Sequence, residues 1–96
     1  MMDYNRIKKG AQLFKALSHP VRLMIIDGLL NEQSCVSDIE EKLELKQPNI
    51  SQHLNILKML NIVDFKQEGN KKCYFLINPE LIKKSIKIIE QYDDNS

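Results

Sequence analysis

One stretch of the chain carries uncharged polar side chains that are able to hydrogen-bond to nucleobases. Glutamine and asparagine amides can each pair with adenine through two hydrogen bonds, and serine can bond to a base or a phosphate. Between Leu45 and Val63 the sequence contains no Asp or Glu, although Glu is a usual choice for a helix surface that needs only solubility. We therefore predict a base-reading surface rather than a merely polar one, formed by Gln47, Asn49, Ser51, Gln52 and Asn55.

Basic and polar residues near this stretch are candidates for contacts to a phosphate backbone. Lys46 precedes the amides, and Asn70, Lys71 and Lys72 follow later in the chain. His53 lies among the amides and is predicted either to pack or to meet the same ligand. Phosphate contacts position a protein without reading sequence. Two lysines in a turn are often only solvated, so this assignment depends on their lying beside the reading surface.

Two cysteines, Cys35 and Cys73, are the other residues with chemistry of their own. They are far apart in sequence and form no Cys-x-x-Cys pair. Two neighbouring thiols could form a disulfide or a longer sulfur bridge, or could hold a thiophilic ion. Two inert, half-buried cysteines are an equally good interpretation. No cofactor is otherwise predicted.

The hydrophobic pattern predicts two helices before the polar stretch. Asp3 is placed to cap the first helix, which ends at Ser18. Pro20 suits the first turn of the second helix, with His19 as its cap. Asn31–Ser34 then reads as a turn, and Cys35-Val36 is too short to classify but could be a piece of strand. The apolar positions of these helices are Ile7, Ala11, Phe14 and Leu17, followed by Val21, Met24, Ile25, Gly28 and Leu29.

A third and a fourth helix follow. Ser37 and Glu40 match a capping box that would open the third helix, with Ile39 and Leu43 facing inward. The fourth helix is predicted from Gln47 to Leu60. Asn61 would end it, because asparagine tolerates the left-handed conformation. Its core positions are Ile50, Leu54 and Leu57.

After Asn61 the period changes from that of a helix to that of strands. Apolar and polar residues alternate in 63–66 and again in 72–77, on either side of a predicted turn at Glu68-Gly69-Asn70, which indicates a β-hairpin. A last helix starts at Pro79, and its apolar face is too broad to be left in water. With the first helix it is predicted to form a dimer interface from Ile7, Phe14, Leu17, Leu81, Ile82, Ile86, Ile89 and Tyr92.

Two short helices followed by a hairpin predict a winged helix-turn-helix, a mainly α fold with five helices and a small β-hairpin. We predict one domain over residues 1–96, with dimerisation helices at 1–17 and 79–92, the helix-turn-helix at 37–60 and the wing at 62–77. Such a fold places its second helix in the major groove. In such a fold the stretch between the second and third helices commonly lies beside the second wing strand, so Cys35 and Cys73 could be near neighbours. A direct disulfide between them needs Cα atoms within about 7 Å.

The composition narrows the class of protein. Fourteen Lys and Arg stand against thirteen Asp and Glu, so a DNA-binding surface here needs a local positive field rather than a basic protein. No apolar run is long enough to cross a bilayer, and the N-terminus has no signal-peptide pattern. We expect a cytoplasmic protein without a membrane partner. With 96 residues it is small enough to gain stability by pairing with a second copy.

The sequence resembles the ArsR/SmtB family of bacterial winged-helix repressors over nearly its whole length. The resemblance lies in residues 17–23 (LSHPVRL), 35–39 (CVSDI) and above all 47–54 (QPNISQHL), with a similar hairpin over 69–76. It implies a homodimer that pairs through its first and last helices and releases an operator when an inducer binds or modifies it. Lys46 stands where the family often has a serine cap, so the start of the reading helix is expected to be looser.

The family's known metal-binding sites lack some of their ligands in this sequence. Metal sensors of the family often carry Cys-Val-Cys where this sequence has Cys35-Val36-Ser37, and arsenite and soft metals prefer two or three thiolates. No histidine follows His53, which argues against a His-and-carboxylate zinc site on the last helix. We predict no metal site of either kind and leave a thiophilic ion at Cys35 and Cys73 open.

The sequence therefore predicts a sequence-specific DNA-binding transcriptional regulator, a homodimeric repressor that leaves its double-stranded operator on an inducing signal. A thiol-based signal at Cys35 and Cys73 (redox, reactive sulfur or arsenite) is the leading hypothesis for that inducer. The alternatives are a winged-helix protein-interaction module and a repressor whose cysteines are not sensory. An enzyme is not predicted, because the chain has neither a Cys-x-x-Cys helix start nor a nucleophile with a matching base.

Overall fold

The computed structural model describes residues 1–44 and 49–95. Within these residues the chain forms five helices and a three-stranded antiparallel sheet, which confirms the predicted fold class. The helices are α1 (Tyr4–Leu17), α2 (Pro20–Leu29), α3 (Val36–Leu43), α4 (Asn49–Met59) and α5 (Pro79–Asn95). The strands are β1 (Ser34–Cys35), β2 (Val63–Glu68) and β3 (Lys71–Leu76). No helix within the described residues is long and apolar enough to cross a membrane.

The first two helices begin with the predicted caps. The Asp3 carboxylate accepts a hydrogen bond from the Arg6 amide at 2.9 Å, and His19 Nδ1 accepts one from the Val21 amide at 3.1 Å. Both side chains satisfy amide donors that have no partner inside the helix. Pro20 lies in the first turn of α2, where its missing N–H costs nothing. The predictions for both helix starts are confirmed.

The predicted capping box of α3 is wrong. Cys35 is the residue before the helix, and no side chain caps it. Ser34 and Cys35 pair with Tyr74 and Cys73 of β3, so the short strand considered at Cys35-Val36 exists one residue earlier, and Ser34 belongs to it rather than to the predicted turn. Because the helix starts at Val36, Ser37 already lies inside its first turn.

The sheet has the strand order β1-β3-β2. A two-residue turn at Gly69-Asn70 joins β2 to β3, and Gly69 has a φ of +63°, which glycine adopts without steric cost. The Ile77 amide donates to the Ile62 carbonyl at 3.0 Å and closes the base of the hairpin. Alternate residues of a strand face opposite sides, so Tyr74 faces the helices and Cys73 faces away from them.

The buried core lies between the helices and one face of the sheet. α4 buries its predicted inner face completely, and the sheet adds Val63, Tyr74 and Leu76. In α2 the structure buries Ile26, whereas Met24 of the predicted apolar set is 42% exposed. This helix is apolar nearly all round, so its periodicity alone does not fix the buried side. The main core residues are Ala16, Leu17, Ile25, Ile26, Leu29, Ile39, Ile50, Leu54, Leu57 and Ile82.

The end of α4 and the start of α5 are each closed by specific hydrogen bonds. Asn61, just past α4, has a φ of +60°, which confirms the predicted left-handed end. Its amide donates to the Lys58 carbonyl and the Ile62 amide to the Leu57 carbonyl, both at 3.0 Å; this pair of bonds is a Schellman motif. α5 begins with the Asn78 side chain accepting from the Leu81 amide at 3.2 Å and continues past the predicted residue 92 to Asn95.

Candidate nucleic-acid interface and cysteine pair

The outer face of α4 carries the predicted amides. Ile50, Leu54 and Leu57 face the core with no exposed surface, and this arrangement turns Asn49, Gln52 and Asn55 outward as exposed residues. Ser51 is half-buried on the flank of the helix. Since α4 contains no acidic residue, its outer surface offers amide donors and acceptors without a repelling charge. Lys46 and Gln47, which were also predicted to contact the ligand, lie outside the described residues.

His53 has a different position from the amides, because it faces the start of α2. Its ring centroid lies 4.2 Å from that of His19, and the Arg22 guanidinium donates to its Nδ1 at 3.4 Å. Burial, then His19, then Arg22 lower the pKa of His53 below its ordinary value. The structure thus gives His53 a packing contact with His19, the cap of α2, and with Arg22 of its first turn.

Arg22 in turn connects α2 and α4 with the end of α1. Its Nε donates to the Ala16 carbonyl at 2.6 Å, and its Nη2 donates to the Lys15 carbonyl at 3.0 Å. These carbonyls belong to the last turn of α1, which attracts positive charge. The sequence offered no direct sign of this three-helix contact, because arginine is usually an exposed residue.

The wing meets α4 at the ring of Phe65. The ammonium of Lys72 lies 4.9 Å from the ring centroid, and that of Lys58 in α4 lies 5.5 Å from the same centroid. Lys58 also approaches Asp64 at 3.9 Å. Helix and wing therefore each bring one cation to a shared aromatic ring. Asn70 and Lys71 are exposed at the tip of the hairpin.

The two cysteines are directly opposite each other in the sheet. Cys35 of β1 is the register partner of Cys73 of β3, with their Cα atoms 3.7 Å apart, and the two sulfurs form a disulfide. The predicted neighbourhood of these residues is confirmed. Cys73 is fully buried and Cys35 is half-buried, although both lie on the face of the sheet that is turned away from the core.

Glu68 joins the cysteine pair, which the sequence reasoning missed. Its carboxylate Oε2 lies 3.6 Å from the Cys73 sulfur, and its Oε1 accepts a hydrogen bond from Gln33 Nε2 at 3.2 Å. The hairpin register could have placed Glu68 near Cys73. A two-residue turn pairs Glu68 with Lys71, and Cys73 is two residues further along the same strand. These residues therefore share one face of the sheet.

The residues predicted for a dimer interface fall into two groups. Leu17 and Ile82 are buried inside the protomer, with exposed fractions of 9% and 2%, and Ile86 is partly buried against the core. The other five are exposed, and Ile88, which was not predicted, is exposed beside them. An apolar groove of about 360 Å³ runs between α1 and α5 and is lined by Phe14, Leu17, Leu23, Ile86, Ile88 and Ile89. The exposed predicted residues are Ile7, Phe14, Leu81, Ile89 and Tyr92.

A short helix pair, an outward-facing amide surface and an attached wing define a winged helix-turn-helix regulator. Comparison with known proteins supports this class: the family model described as "Bacterial regulatory protein, arsR family" matches residues 19–64, from the cap of α2 to the start of β2. The chain belongs to the ArsR family of bacterial regulatory proteins, which are DNA-binding regulators and not enzymes.

Similarity to individual members extends beyond the matched segment. An uncharacterized HTH-type transcriptional regulator of Methanocaldococcus jannaschii is 39% identical over 87 residues, which cover 90% of this chain and 97% of that protein. The structure of HlyU from Vibrio cholerae superposes with a TM-score of 0.81 at 31% identity, covering 95% of this chain and 97% of HlyU. The transcriptional repressor BigR from Xylella fastidiosa gives 0.78 at 31% identity, covering 88% and 89%.

Proposed function

We propose that this protein is a homodimeric repressor that binds double-stranded operator DNA with α4 in the major groove and the wing against the phosphate backbone. The observation that carries this proposal is the acid-free outer face of α4, with exposed Asn49, Gln52 and Asn55. A winged helix that binds protein would instead present acidic residues or a larger apolar patch there; the apolar residues that α4 does expose, Ile56 and Met59, line a groove beside α1 with Gln12 and Lys15. Similarity to BigR, described as a transcriptional repressor, favours repression over activation. Such a protein would act in the cytoplasm.

The reading contacts are divided by chemistry. Gln52 and Asn55, with Asn49, Ser51 and Gln47, would contact base edges. Asn70, Lys71 and Lys72, with Lys46, would contact phosphates and set the register of the protein on the duplex. We assign His53 to packing rather than to base reading, because its ring contacts His19 and Arg22.

The test is fluorescence anisotropy with DNA from upstream of the protein's own gene. We expect salt-sensitive binding at least about a thousandfold tighter than to random DNA. Gln52→Ala should weaken specific binding by about 1–3 kcal/mol, whereas Gln12→Ala, which removes an exposed amide from α1, should leave it unchanged. Equal affinity for upstream and random DNA would reject the proposal.

The exposed apolar groove between α1 and α5 supports the homodimer. Monomeric proteins seldom expose a contiguous apolar surface of this kind, and Phe14, Ile88 and Ile89 leave 63%, 57% and 44% of their surface in water. A two-fold dimer would hold two copies of α4 about one helical turn of DNA apart. Phe14→Glu should give a folded monomer in analytical ultracentrifugation that has lost tight operator binding; a dimeric variant would contradict this interface.

The Cys35–Cys73 disulfide favours a second element of the function, a thiol-based inducing signal. We propose that two thiols lose two electrons and two protons to an oxidant such as a peroxide or a polysulfide, and that one S–S bond forms between them. The bond would tie β1, which runs directly into α3, to the second strand of the wing, and so alter how helix and wing fit the duplex together.

The oxidised and reduced protein should therefore differ in operator affinity. Anisotropy in the presence of a thiol reductant, and again after mild oxidation, measures this difference, and Cys35→Ser should remove it. If the Cys35→Ser protein responds to oxidation as the unaltered protein does, the cysteines are not sensory. The repressor proposal would then stand without them.

A further inference from the structure

Three strands each contribute one potential metal ligand to the cysteine pair. The sulfurs of Cys35 and Cys73 and a carboxylate oxygen of Glu68 all lie within 4.8 Å of one another. Cys73 is fully buried, Cys35 is half-buried and Glu68 is exposed. The cluster thus consists of two sulfurs largely shielded from solvent and one carboxylate oxygen on the solvent-exposed side.

The carboxylate of Glu68 is held in a defined orientation. Gln33 Nε2 donates to Oε1 at 3.2 Å, which leaves Oε2 on the side of the sulfurs, 3.6 Å from Cys73 Sγ. Hydrogen bonds from outer groups orient the ligands of metal sites in this manner. Lys66, the register partner of Cys73 on β2, has its ammonium 5.7 Å from the centroid of the Phe75 ring.

We propose that the reduced cysteine pair and Glu68 form a binding site for one Zn²⁺ ion. The disulfide first accepts two electrons and two protons from a dithiol reductant, which becomes a cyclic disulfide. Zn²⁺ then displaces the two thiol protons to water and binds two sulfurs and one oxygen. Four-coordinate zinc keeps one position for water with this donor set.

The donor set favours Zn²⁺ over arsenite and Cu(I). Arsenite and Cu(I) bind thiolates and gain little from a carboxylate, so Glu68 would add little to their affinity. Zn²⁺ accepts both thiolate and carboxylate. Two thiolates and a carboxylate would also repel one another without a cation, so the ion stabilises the deprotonated cluster.

Zinc and the disulfide exclude each other, because both need the same two sulfurs. This consequence deepens the thiol response proposed above and rests on that proposal for its regulatory meaning. Zinc binding itself can be measured without DNA. If the protein binds zinc at this site but shows no preference for operator DNA, the zinc site is supported and the proposed repressor function is rejected.

The direct test is a zinc titration of the whole chain, reduced with a phosphine under exclusion of oxygen, in competition with a chromogenic chelator. We expect one Zn²⁺ per chain and none for the oxidised protein. Glu68→Gln should weaken binding at least about tenfold, in the range typical for loss of a metal-site group, while Glu41→Gln, an exposed carboxylate of α3, should bind as the unaltered protein does. Unchanged affinity in Glu68→Gln would overturn the proposal.

A second measurement does not depend on the folding of any variant. Cd²⁺ added to the reduced, unaltered protein should produce the ultraviolet charge-transfer absorbance of two cadmium–thiolate bonds. Zinc should slow loss of the two thiols to a disulfide-forming oxidant at least about tenfold, since metal-bound sulfurs are less available for attack. Absence of thiolate absorbance, or oxidation at the same rate with and without zinc, would show that the sulfurs hold no metal.

Discussion

His53 illustrates how a single side chain of α4 depends on its neighbours. It faces the first turn of α2, where His19 and Arg22 present the other basic groups in contact with it. Its pKa lies below the ordinary value of 6.5, first because of burial and then because of the repulsion from His19 and Arg22. The folded chain therefore binds this proton less readily than the unfolded chain does.

The sign of the pH effect follows from that difference. Above pH 6.5 the full contribution of neutral His53 to stability is present, and it is lost as the pH falls from 6.5 towards the lower pKa of the folded state. We expect the free energy of unfolding in urea to decrease between pH 7.5 and pH 5.5, and His53→Gln to reduce this decrease. An equal decrease in the variant would place the titration elsewhere.

A salt titration tests the phosphate contact assigned to Lys71. Lys71→Ala should weaken binding to operator and random DNA by similar factors, because a phosphate contact carries no base information. It should also reduce the slope of log affinity against log salt by about 1. A change in sequence preference without a change in slope would show that Lys71 reads bases instead.

Residue roles were predictable where chemistry and helical spacing agree, and not where strand register decides. The outward position of Gln52 and Asn55 follows from the burial of Ile50 and Leu54 on the same helix. Glu68 was assigned only to a turn, because its approach to Cys73 needs the pairing of three strands. Long-range register of this kind is not encoded in local periodicity.

The end of α4 is an element whose backbone conformation can be tested directly. Asn61 occupies the left-handed region and directs the chain into the wing through its Schellman motif. Asn61→Ala should lower the free energy of unfolding by about 1 kcal/mol. A Cβ disfavours the left-handed conformation, and alanine lacks the polar side chain by which asparagine offsets that cost. Asn61→Gly serves as the matched control and should not be destabilising. Chemical denaturation of both variants makes the comparison, and equal losses would contradict this explanation.

The elements with strong end signals were predicted well, and those shaped by tertiary pairing were not. Asp3, His19 and Asn61 carry local signals that the structure confirms. The start of α3 was misplaced at Ser37, and the strand before it was left open, because β1 consists of only two residues and exists through its pairing with β3. Two residues are too few for a period to show.

At the scale of the whole molecule, the disulfide closes a loop that contains the entire reading unit. Cys35 and Cys73 are 38 positions apart in the sequence, and the residues between them include α3, α4 and most of the hairpin. Closing such a loop in the unfolded chain corresponds to about 4 kcal/mol in the chain-entropy account. Reduction should therefore lower the free energy of unfolding by up to that amount, whereas the stability of Cys35→Ser should not respond to reductant. Equal denaturation curves for the oxidised and reduced protein would contradict this expectation.

The same bond makes the operator an effector of thiol chemistry. If oxidation changes operator affinity by some factor, thermodynamic reciprocity requires the operator to change the thiol–disulfide equilibrium by the same factor. For this two-electron couple a tenfold effect corresponds to a shift of about 30 mV in reduction potential. The repressor on its operator and the repressor free in solution would then be oxidised at different potentials, so occupancy of the DNA would itself set how easily the signal is received.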